Sequence, residues 1–465
     1  MEELAPISIV GTGYVGLTTA AVLANAGFKV FTIDIVPEKI ETIKKGRAYF
    51  YEEALDELIS KAIDTGNLVP TLSYEESIPE SDIVFSCVGT PDRPDGSHNL
   101  DYIYGAAESV ARVAKDGLIM VQKSTVPVGT GREVISKMKK ANPELQFEYV
   151  SNPEFLREGS AVYNTLNMQR VILGSDSTEA MDRIEAVYKK VDELCKKLEG
   201  VNFGEYTNLA IGRELKAQTK SFEDRVFKMR LESAELVKVS ANAFLALKIS
   251  FANSIAKLAD KTEADINEVM DGVGSDTRIG RAFLYAGLGW GGGCFPKDVS
   301  GLIAVADDRG VGMSIMNSAV NVNDSMIDYG VEKLQRHLSD LKDKKIAVLG
   351  LAFKPGTSDV RKSQAIKLAN KLTELGASVA AYDPKAMEEA KETLASSVVL
   401  KESIMDTVSD ADAVVLAVDW KDFVIADWEA IKDAMSGDVL FDGRNKLDIH
   451  EMSALGFRYE GVGRR

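Results

Sequence analysis

Ile7-Ser8-Ile9-Val10-Gly11-Thr12-Gly13-Tyr14-Val15-Gly16 is the stretch that decides the fold. A strand-like run passes straight into a GxGxxG turn, and the turn into an apolar helical stretch, Leu17 to Ala26, closed by Gly27. A second strand, Lys29 to Ile33, ends at Asp34. In such a unit the glycines permit a tight turn, close approach of backbone to a pyrophosphate, and packing of helix on strand. A carboxylate at the end of the second strand can accept hydrogen bonds from the adenosine ribose hydroxyls. It also favours NAD over NADP, because a 2′-phosphate would meet like charge. Gly11, Gly13, Gly16 and Asp34 are therefore expected to form an NAD site.

Outward from this unit the alternation continues, with strands expected at Ile83 to Val88, Leu118 to Val121 and Phe147 to Ser151, so a doubly wound parallel sheet follows. Near Ser233 the pattern changes to one long helical run, Ser233 to Lys261, suited to joining two domains or to packing against a second subunit. From Lys344 the first plan returns: strand Lys345 to Gly350, helix Ser363 to Leu375 ending at Gly376, strand Ser378 to Tyr382 ending at Asp383. Its turn, Gly350-Leu351-Ala352-Phe353-Lys354, lacks the GxGxxG spacing, so this second sheet is expected to hold a different ligand. Ala413 to Val418 and Val439 to Phe441 supply later strands. The expected fold is α/β: two Rossmann-like doubly wound domains, residues 1–220 and 334–465, joined by a central helical dimerisation domain, 221–333. Within the first, 191–231 is strongly charged and reads as an insertion of exposed helices around a loop at Asn202 to Asn208.

Composition narrows the partners. At 465 residues, 45% hydrophobic and 27% charged, the chain has the make-up of a multidomain globular protein. No apolar run of membrane-spanning length and no charged-then-apolar leader are evident, which points to the cytoplasm and away from a membrane. A net charge of −16 argues against nucleic acid. Three cysteines, Cys87, Cys195 and Cys294, and three scattered histidines offer neither a disulfide framework nor a metal centre.

Gly291-Gly292-Gly293-Cys294-Phe295-Pro296-Lys297-Asp298 places a cysteine where a helix begins, since Pro296 fits the first helical position. A thiol there faces free amide donors and the positive end of the helix dipole, which stabilise thiolate. Asp298 falls in the first turn and Lys297 beside it. From these eight residues alone, a nucleophile and a glycine-rich turn with a buried cysteine are both open. On the long helical run, Lys238 and Asn242 are four apart and Asn253 eleven further, a polar stripe on an apolar helix that needs partners. Glu154 and Glu158 are also four apart, where Pro153 can open a short helical turn; a solvated acidic face is the alternative.

Taken together, GTGYVG at Gly11, CVGTP at Cys87, STVPVGT at Ser124, NPEFLREG at Asn152, the helix from Ser233, TRIG at Thr277, GGGCFPKD at Gly291, GLAFKPGTSDVR at Gly350 and FDGRN at Phe441 resemble the nucleotide-sugar 6-dehydrogenases over nearly the whole chain. The resemblance implies a four-electron, NAD-dependent oxidation of a sugar C6 alcohol to a carboxylate. Cys294 would attack the intermediate aldehyde, and Lys238, Asp298, Asn242, Glu158 and Thr125 would handle protons, water and the developing oxyanion. It extends the cofactor set to Tyr14, Val15, Lys39, Thr90, Thr125, Glu158, Lys297 and Arg361. It assigns Glu154, Phe155, Leu156, Lys238, Asn242, Phe283, Gly291, Lys354 and Arg444 to the nucleotide sugar, and Arg278 to the substrate of a neighbouring subunit in a homodimer or larger assembly. STVPVGT and CFPKD look most like the pattern for UDP-glucose, with GDP-mannose and UDP-N-acetyl sugars as alternatives. A non-catalytic nucleotide-sugar sensor would not need Cys294, Lys238 and Asp298, and a two-electron hydroxyacid dehydrogenase would need neither Cys294 nor the third region. Two positions depart from the family pattern: Gly293 removes a hydroxyl beside the cysteine, and Trp290 is expected to enlarge the wall of the substrate loop.

Overall fold

The computed structural model describes residues 4–198 and 220–465. The chain forms two compact units, Met1–Ser240 and Ala241–Arg465.

The first unit is built on β1 (Ile7–Val10), β2 (Val30–Ile33), β3 (Leu68–Thr71), β4 (Ile83–Ser86), β5 (Leu118–Gln122), β6 (Phe147–Ser151), β7 (Val171–Gly174) and β8 (Val226–Met229). Their order across the sheet is β3-β2-β1-β4-β5-β6-β7-β8. β1 to β6 run parallel, while β7 is antiparallel to β6 and parallel to β8. Side chains alternate between two cores, as a sheet covered on both faces requires. Ile7, Ile9, Ile119 and Val121 join one cluster, and Val10, Leu118 and Met120 the other. Burying each such side chain contributes about 1.5–3 kcal/mol, so these short strands are held mainly by their neighbours.

The opening helix spans Tyr14–Asn25 and ends as its glycine foretold. Gly27 adopts φ +102°. Its N–H bonds to Ala24 O at 3.1 Å and that of Phe28 to Leu23 O at 3.2 Å, the double bond of a Schellman stop. In the second unit β9 (Lys345–Leu349), β10 (Ser378–Tyr382), β11 (Val399–Leu400), β12 (Ala413–Leu416), β13 (Val439–Asp442) and β14 (Arg458–Gly461) form a parallel sheet in the order β11-β10-β9-β12-β13-β14. Its first helix, Gln364–Glu374, stops in the same way: Gly376 has φ +87°, with Gly376 N–H on Thr373 O and Ala377 N–H on Leu372 O.

The long helix spans Leu231–Thr262. Contrary to the sequence expectation, it is by length and composition apolar enough to cross a membrane. Its polar residues are tied down inside the fold, however. Asn253 accepts the Gly287 N–H at 2.8 Å and Ser250 donates to Ala319 O at 2.7 Å, as in the core helix of a globular protein.

The charged 191–231 stretch also needs correction where it is described. Residues 191–197 complete a long helix, Thr178–Lys197, with Val191, Asp192 and Cys195 buried. Downstream, 226–229 is the edge strand β8, and buried Arg225 pairs with Asp192 at 2.5 Å. The first flank is helical as expected but turns one face into the core, and the second is a strand where an exposed helix was expected. The expected loop at 202–208 lies outside the described residues.

Candidate active site

In the first unit, Gly11 sits at φ +91°, where a Cβ would stand 2.9 Å from the backbone of Cys87 and Val88. A Cβ on Gly16 would collide with Gly11 O. Gly13 caps the helix with no side-chain bond and opens on empty space. Such a turn leaves amide donors and room for a phosphate group. At the end of β2, Asp34 Oδ2 accepts the Thr12 N–H at 3.0 Å and the Thr12 hydroxyl at 2.6 Å, and Oδ1 accepts the Val36 N–H at 3.1 Å. Burial would push this carboxyl up, but the Thr12 bonds, Lys39 at 3.7 Å and the Val36 N–H hold it below its ordinary value. It is an ionised acceptor next to an open, glycine-lined turn, and these residues fit a dinucleotide. Tyr14 stacks on Phe50 at 4.0 Å, and Val15 is partly buried against the core.

Beyond the other strand ends, the Thr90 hydroxyl donates to Thr125 O at 3.0 Å and so ties together the loops after β4 and β5. After β6, Glu154 is buried and pairs with buried Lys238 at 2.9 Å. Its other oxygen accepts the Leu156 N–H. Phe155 lies beneath the Lys238 ammonium, 5.4 Å from the ring centroid. The expected helical turn at Pro153 is absent: residues 152–157 are irregular and the next helix begins at Ala161, so Glu154 and Glu158 do not share a helical face. Asn152 instead draws the chain across the strand ends by donating to Ile172 O at 2.9 Å.

Glu52 had no signal in the sequence. Its buried carboxylate accepts the N–H groups of Gly159 at 2.8 Å and Ala161 at 2.6 Å, which fixes the turn that carries Glu158. Only the tertiary structure brings it there, across 107 residues of chain.

In the second unit, Cys294 is the exposed N-cap residue of the helix Phe295–Asp308, with Pro296 in its first turn one position later than expected. Asp298 is buried; its N–H bonds to Cys294 O at 2.8 Å. One Asp298 oxygen accepts from Asn242 Nδ2 at 2.6 Å and the other from Lys297 Nζ at 2.7 Å. Lys238 and Asn242, four apart on one helix, are thus turned to Glu154 and Asp298 respectively. The three glycines before the cysteine each admit a different atom of the 350–362 loop. A Cβ at Gly291 would strike Lys362 O, one at Gly292 would lie 2.7 Å from the Phe353 ring, and one at Gly293 would overlap the Arg361 guanidinium. Gly292 N–H also bonds Arg361 O at 2.9 Å. The departure at Gly293 is therefore filled by Arg361, which is itself braced by Asp359 at 2.6 Å. Trp290 is buried, with its indole N–H on Ser250 Oγ at 2.9 Å.

Lys354 and Arg444 stand on loops after β9 and β13. Arg444 donates to Ala417 O at 2.7 Å and to Phe353 O at 3.2 Å, which brings the two loops together, and burial pulls its pKa down. Phe283 takes φ +67° and faces Phe295 at 6.2 Å. Arg278 is exposed and paired with Asp276 at 2.6 Å.

The second sheet repeats the plan of the first, with its turn and terminal acid packed by different partners. A Cβ at Gly350 would collide with the Val418 side chain. Asp383, the counterpart of Asp34, is filled by the N–H groups of Leu351, Ala352, Lys385 and Ala386 and by the Trp420 indole.

Residues 5–192, 232–325 and 347–449 match, in that order, the NAD binding, central and UDP binding domains of the UDP-glucose/GDP-mannose dehydrogenase family. The chain belongs to this family. It is 38% identical to UDP-glucose 6-dehydrogenase TuaD of Bacillus subtilis, over 98% of this chain and 93% of that one. To UDP-glucose 6-dehydrogenase of Rhizobium meliloti it is 36% identical, over 98% and 99%. Among solved structures, a UDP-glucose dehydrogenase from Pyrobaculum islandicum superposes with a TM-score of 0.87 at 35% identity, covering 99% of this chain and 98% of that one. A UDP-D-ManNAc dehydrogenase from Pyrococcus horikoshii gives 0.82 at 26% identity, covering 99% of each. The protein is a nucleotide-sugar dehydrogenase, its cofactor is NAD, and its two Rossmann-like sheets have the distinct roles that their turns foretold.

Proposed function

We propose that this dehydrogenase oxidises UDP-glucose to UDP-glucuronate in two two-electron steps, with Cys294 as nucleophile. The observation that carries the reading is the exposed Cys294 at a helix N-cap, one turn from the buried, doubly bonded Asp298. Bound NAD supplies the hydride acceptor for each oxidation. The Cys294 thiolate adds to the C6 aldehyde to give a thiohemiacetal; loss of hydride from that carbon leaves a thioester, and water displaces the thiol to give the carboxylate. A thiolate suits this sequence because it both attacks readily and departs readily. Asn242, held by Asp298, and Lys238, held by Glu154, offer N–H donors to the oxyanion that forms when sulfur or water adds. Glu158 and Thr125 serve the nicotinamide and the hydrolytic water, and Glu154, Phe155 and Leu156 the sugar. Gly11, Gly13, Tyr14, Val15, Gly16, Asp34, Lys39, Thr90, Lys297 and Arg361 serve the cofactor. Lys354, Arg444, Gly291 and Phe283 hold the nucleotide sugar.

UDP-glucose is preferred because the curated relatives at 36–38% identity carry that substrate in their names. The functional division is an NAD domain at 1–220, a central domain at 221–333 and a UDP-sugar domain at 334–465, in a cytoplasmic enzyme. At least a dimer is proposed, since Phe244, Phe251 and Leu258, seven residues apart on the long helix, are 59%, 45% and 59% exposed. Exposed Arg278 would then be free to turn from Asp276 to a partner's substrate. The test is the NADH yield with UDP-glucose, UDP-N-acetyl sugars and GDP-mannose. Two NADH per UDP-glucose is expected; a single NADH, or turnover only with another sugar, defeats the proposal.

A further inference from the structure

Arg170 stands just before β7, half-buried, with its guanidinium 3.8 Å from the centroid of the Phe155 ring. The register explains the meeting. β6 and β7 are antiparallel with Ser151 opposite Gly174, so the chain leaving β6 runs back toward the start of β7, where Arg170 stands. Among the described residues no oxygen accepts a hydrogen bond from this guanidinium and no carboxylate pairs with it. Burial accordingly pulls Arg170 below its ordinary pKa, with no opposing charge. A half-buried cation with no protein acceptor gains attraction from the face of an aromatic ring, and here Phe155 supplies it.

The same ring lies 5.4 Å from the Lys238 ammonium, and Lys238 is paired with Glu154 at 2.9 Å. Phe155 is bracketed in the chain by Glu154 and by Leu156, whose N–H bonds the Glu154 carboxylate. The ring is thus the middle link between Arg170 and the Glu154–Lys238 pair. We propose that Arg170 is a positioning residue for the oxidation: by stacking on Phe155 it sets the segment that aims Glu154 and Lys238, without touching either. This rests on the reading of Lys238 and Glu154 as members of the site. A planar guanidinium can cover a ring where an ammonium cannot, so lysine is no substitute.

The test is a double-mutant cycle on the full-length enzyme with UDP-glucose and NAD, reading kcat and both KM values. Arg170→Met should lower kcat by about ten-fold or more while leaving both KM values within about three-fold, because misaimed groups cost rate more than binding. Arg170→Lys should fail to restore it. In a Phe155→Leu background, where the ring is gone, Arg170→Met should change kcat by less than about two-fold. Wild-type kcat in Arg170→Met, or an equal loss in both backgrounds, overturns the inference. Should Arg170→Met not fold, Arg170→Gln, with a planar uncharged amide, enters the same cycle under the same criteria. Lys238→Ala separates the two readings. Full activity there defeats the site assignment itself, whereas loss there with no effect at Arg170 defeats only the positioning role.

Discussion

At the residue scale, three adjacent glycines differ sharply in what they would tolerate. A methyl group at Gly291 would meet a backbone carbonyl, Lys362 O, which cannot move without its loop. One at Gly293 would meet the mobile end of Arg361. Gly291→Ala should therefore destabilise the protein by about 2–3 kcal/mol, and Gly293→Ala by less than about 1 kcal/mol, as read by urea denaturation. The second variant should instead raise KM for NAD, because it displaces the arginine assigned to the cofactor; an unchanged KM would remove Arg361 from that role. At the other end of the chain, Asp34→Ala should weaken NAD binding in titration calorimetry and leave UDP-sugar affinity nearly unchanged. Neither glycine effect could be read from the chain. GGGC shows a tight turn, but not that each missing side chain is replaced by an atom from a loop some seventy residues later.

At the element scale, the helix Thr130–Ala141 is capped from a distance. Glu235, on the long helix, accepts the N–H groups of Gly129 and Gly131 at 2.7 Å each. Burial outweighs these bonds and pushes its carboxyl up to about 7. The folded protein therefore holds this proton more tightly than the unfolded chain. The associated stability is fully present below the unfolded value of 4.5 and is lost as pH rises through about 7. Unfolding free energy should fall by up to about 3 kcal/mol across that interval, and Glu235→Gln should flatten the slope. An identical pH profile in the variant would show that Glu235 does not titrate there.

Elements whose logic is local were legible in the sequence. The β1 to Asp34 unit and its repeat at β9 to Asp383 carry their turn, helix stop and terminal acid within a few dozen residues. β7 and β8 were missed for opposite reasons. β7 is a short apolar run lodged between helices, and β8 is an edge strand whose partly exposed Phe227 and Lys228 look like a charged surface. Pro153 permits a helical turn for Glu154 and Glu158, but Asn152 and Glu52 pull the segment across the sheet instead. The residues facing Asp298 and Glu154 were legible only as a polar stripe; their partners required the fold.

On the scale of the whole molecule, the second unit encloses a charge cluster. Fully buried Lys333 bonds Asp260 at 2.5 Å and Glu460 at 2.9 Å, joining the long helix, the helix Ser314–Leu338 and β14. Lys333→Met would leave two buried carboxylates without their shared cation, and it should cost about 3–5 kcal/mol in a denaturant titration; a variant as stable as wild type would show that the cluster contributes nothing net. For the proposed dimer, Arg278→Ala and Cys294→Ala should each be nearly inactive alone. Mixed and allowed to exchange subunits, they should recover about a quarter of wild-type activity, since half of random dimers are mixed and each has one intact site. No recovery despite confirmed exchange would mean that Arg278 serves its own chain.

The GxGxxG turn of the first sheet bears on the timing of the proposed reaction. Of the two sheets, the first carries the GxGxxG turn and matches the NAD binding domain, so among the described residues it is the one dinucleotide seat that this pattern marks. In the proposed four-electron reaction two successive oxidations would share it: the seat would be emptied and refilled halfway through a turnover while the half-oxidised sugar stays behind. The enzyme would work as a shuttle with one berth, and the grip on its cargo during the changeover would come from the Cys294 sulfur and the loops proposed to hold the nucleotide sugar. NADH lingering in the berth should stall the second oxidation as readily as the first.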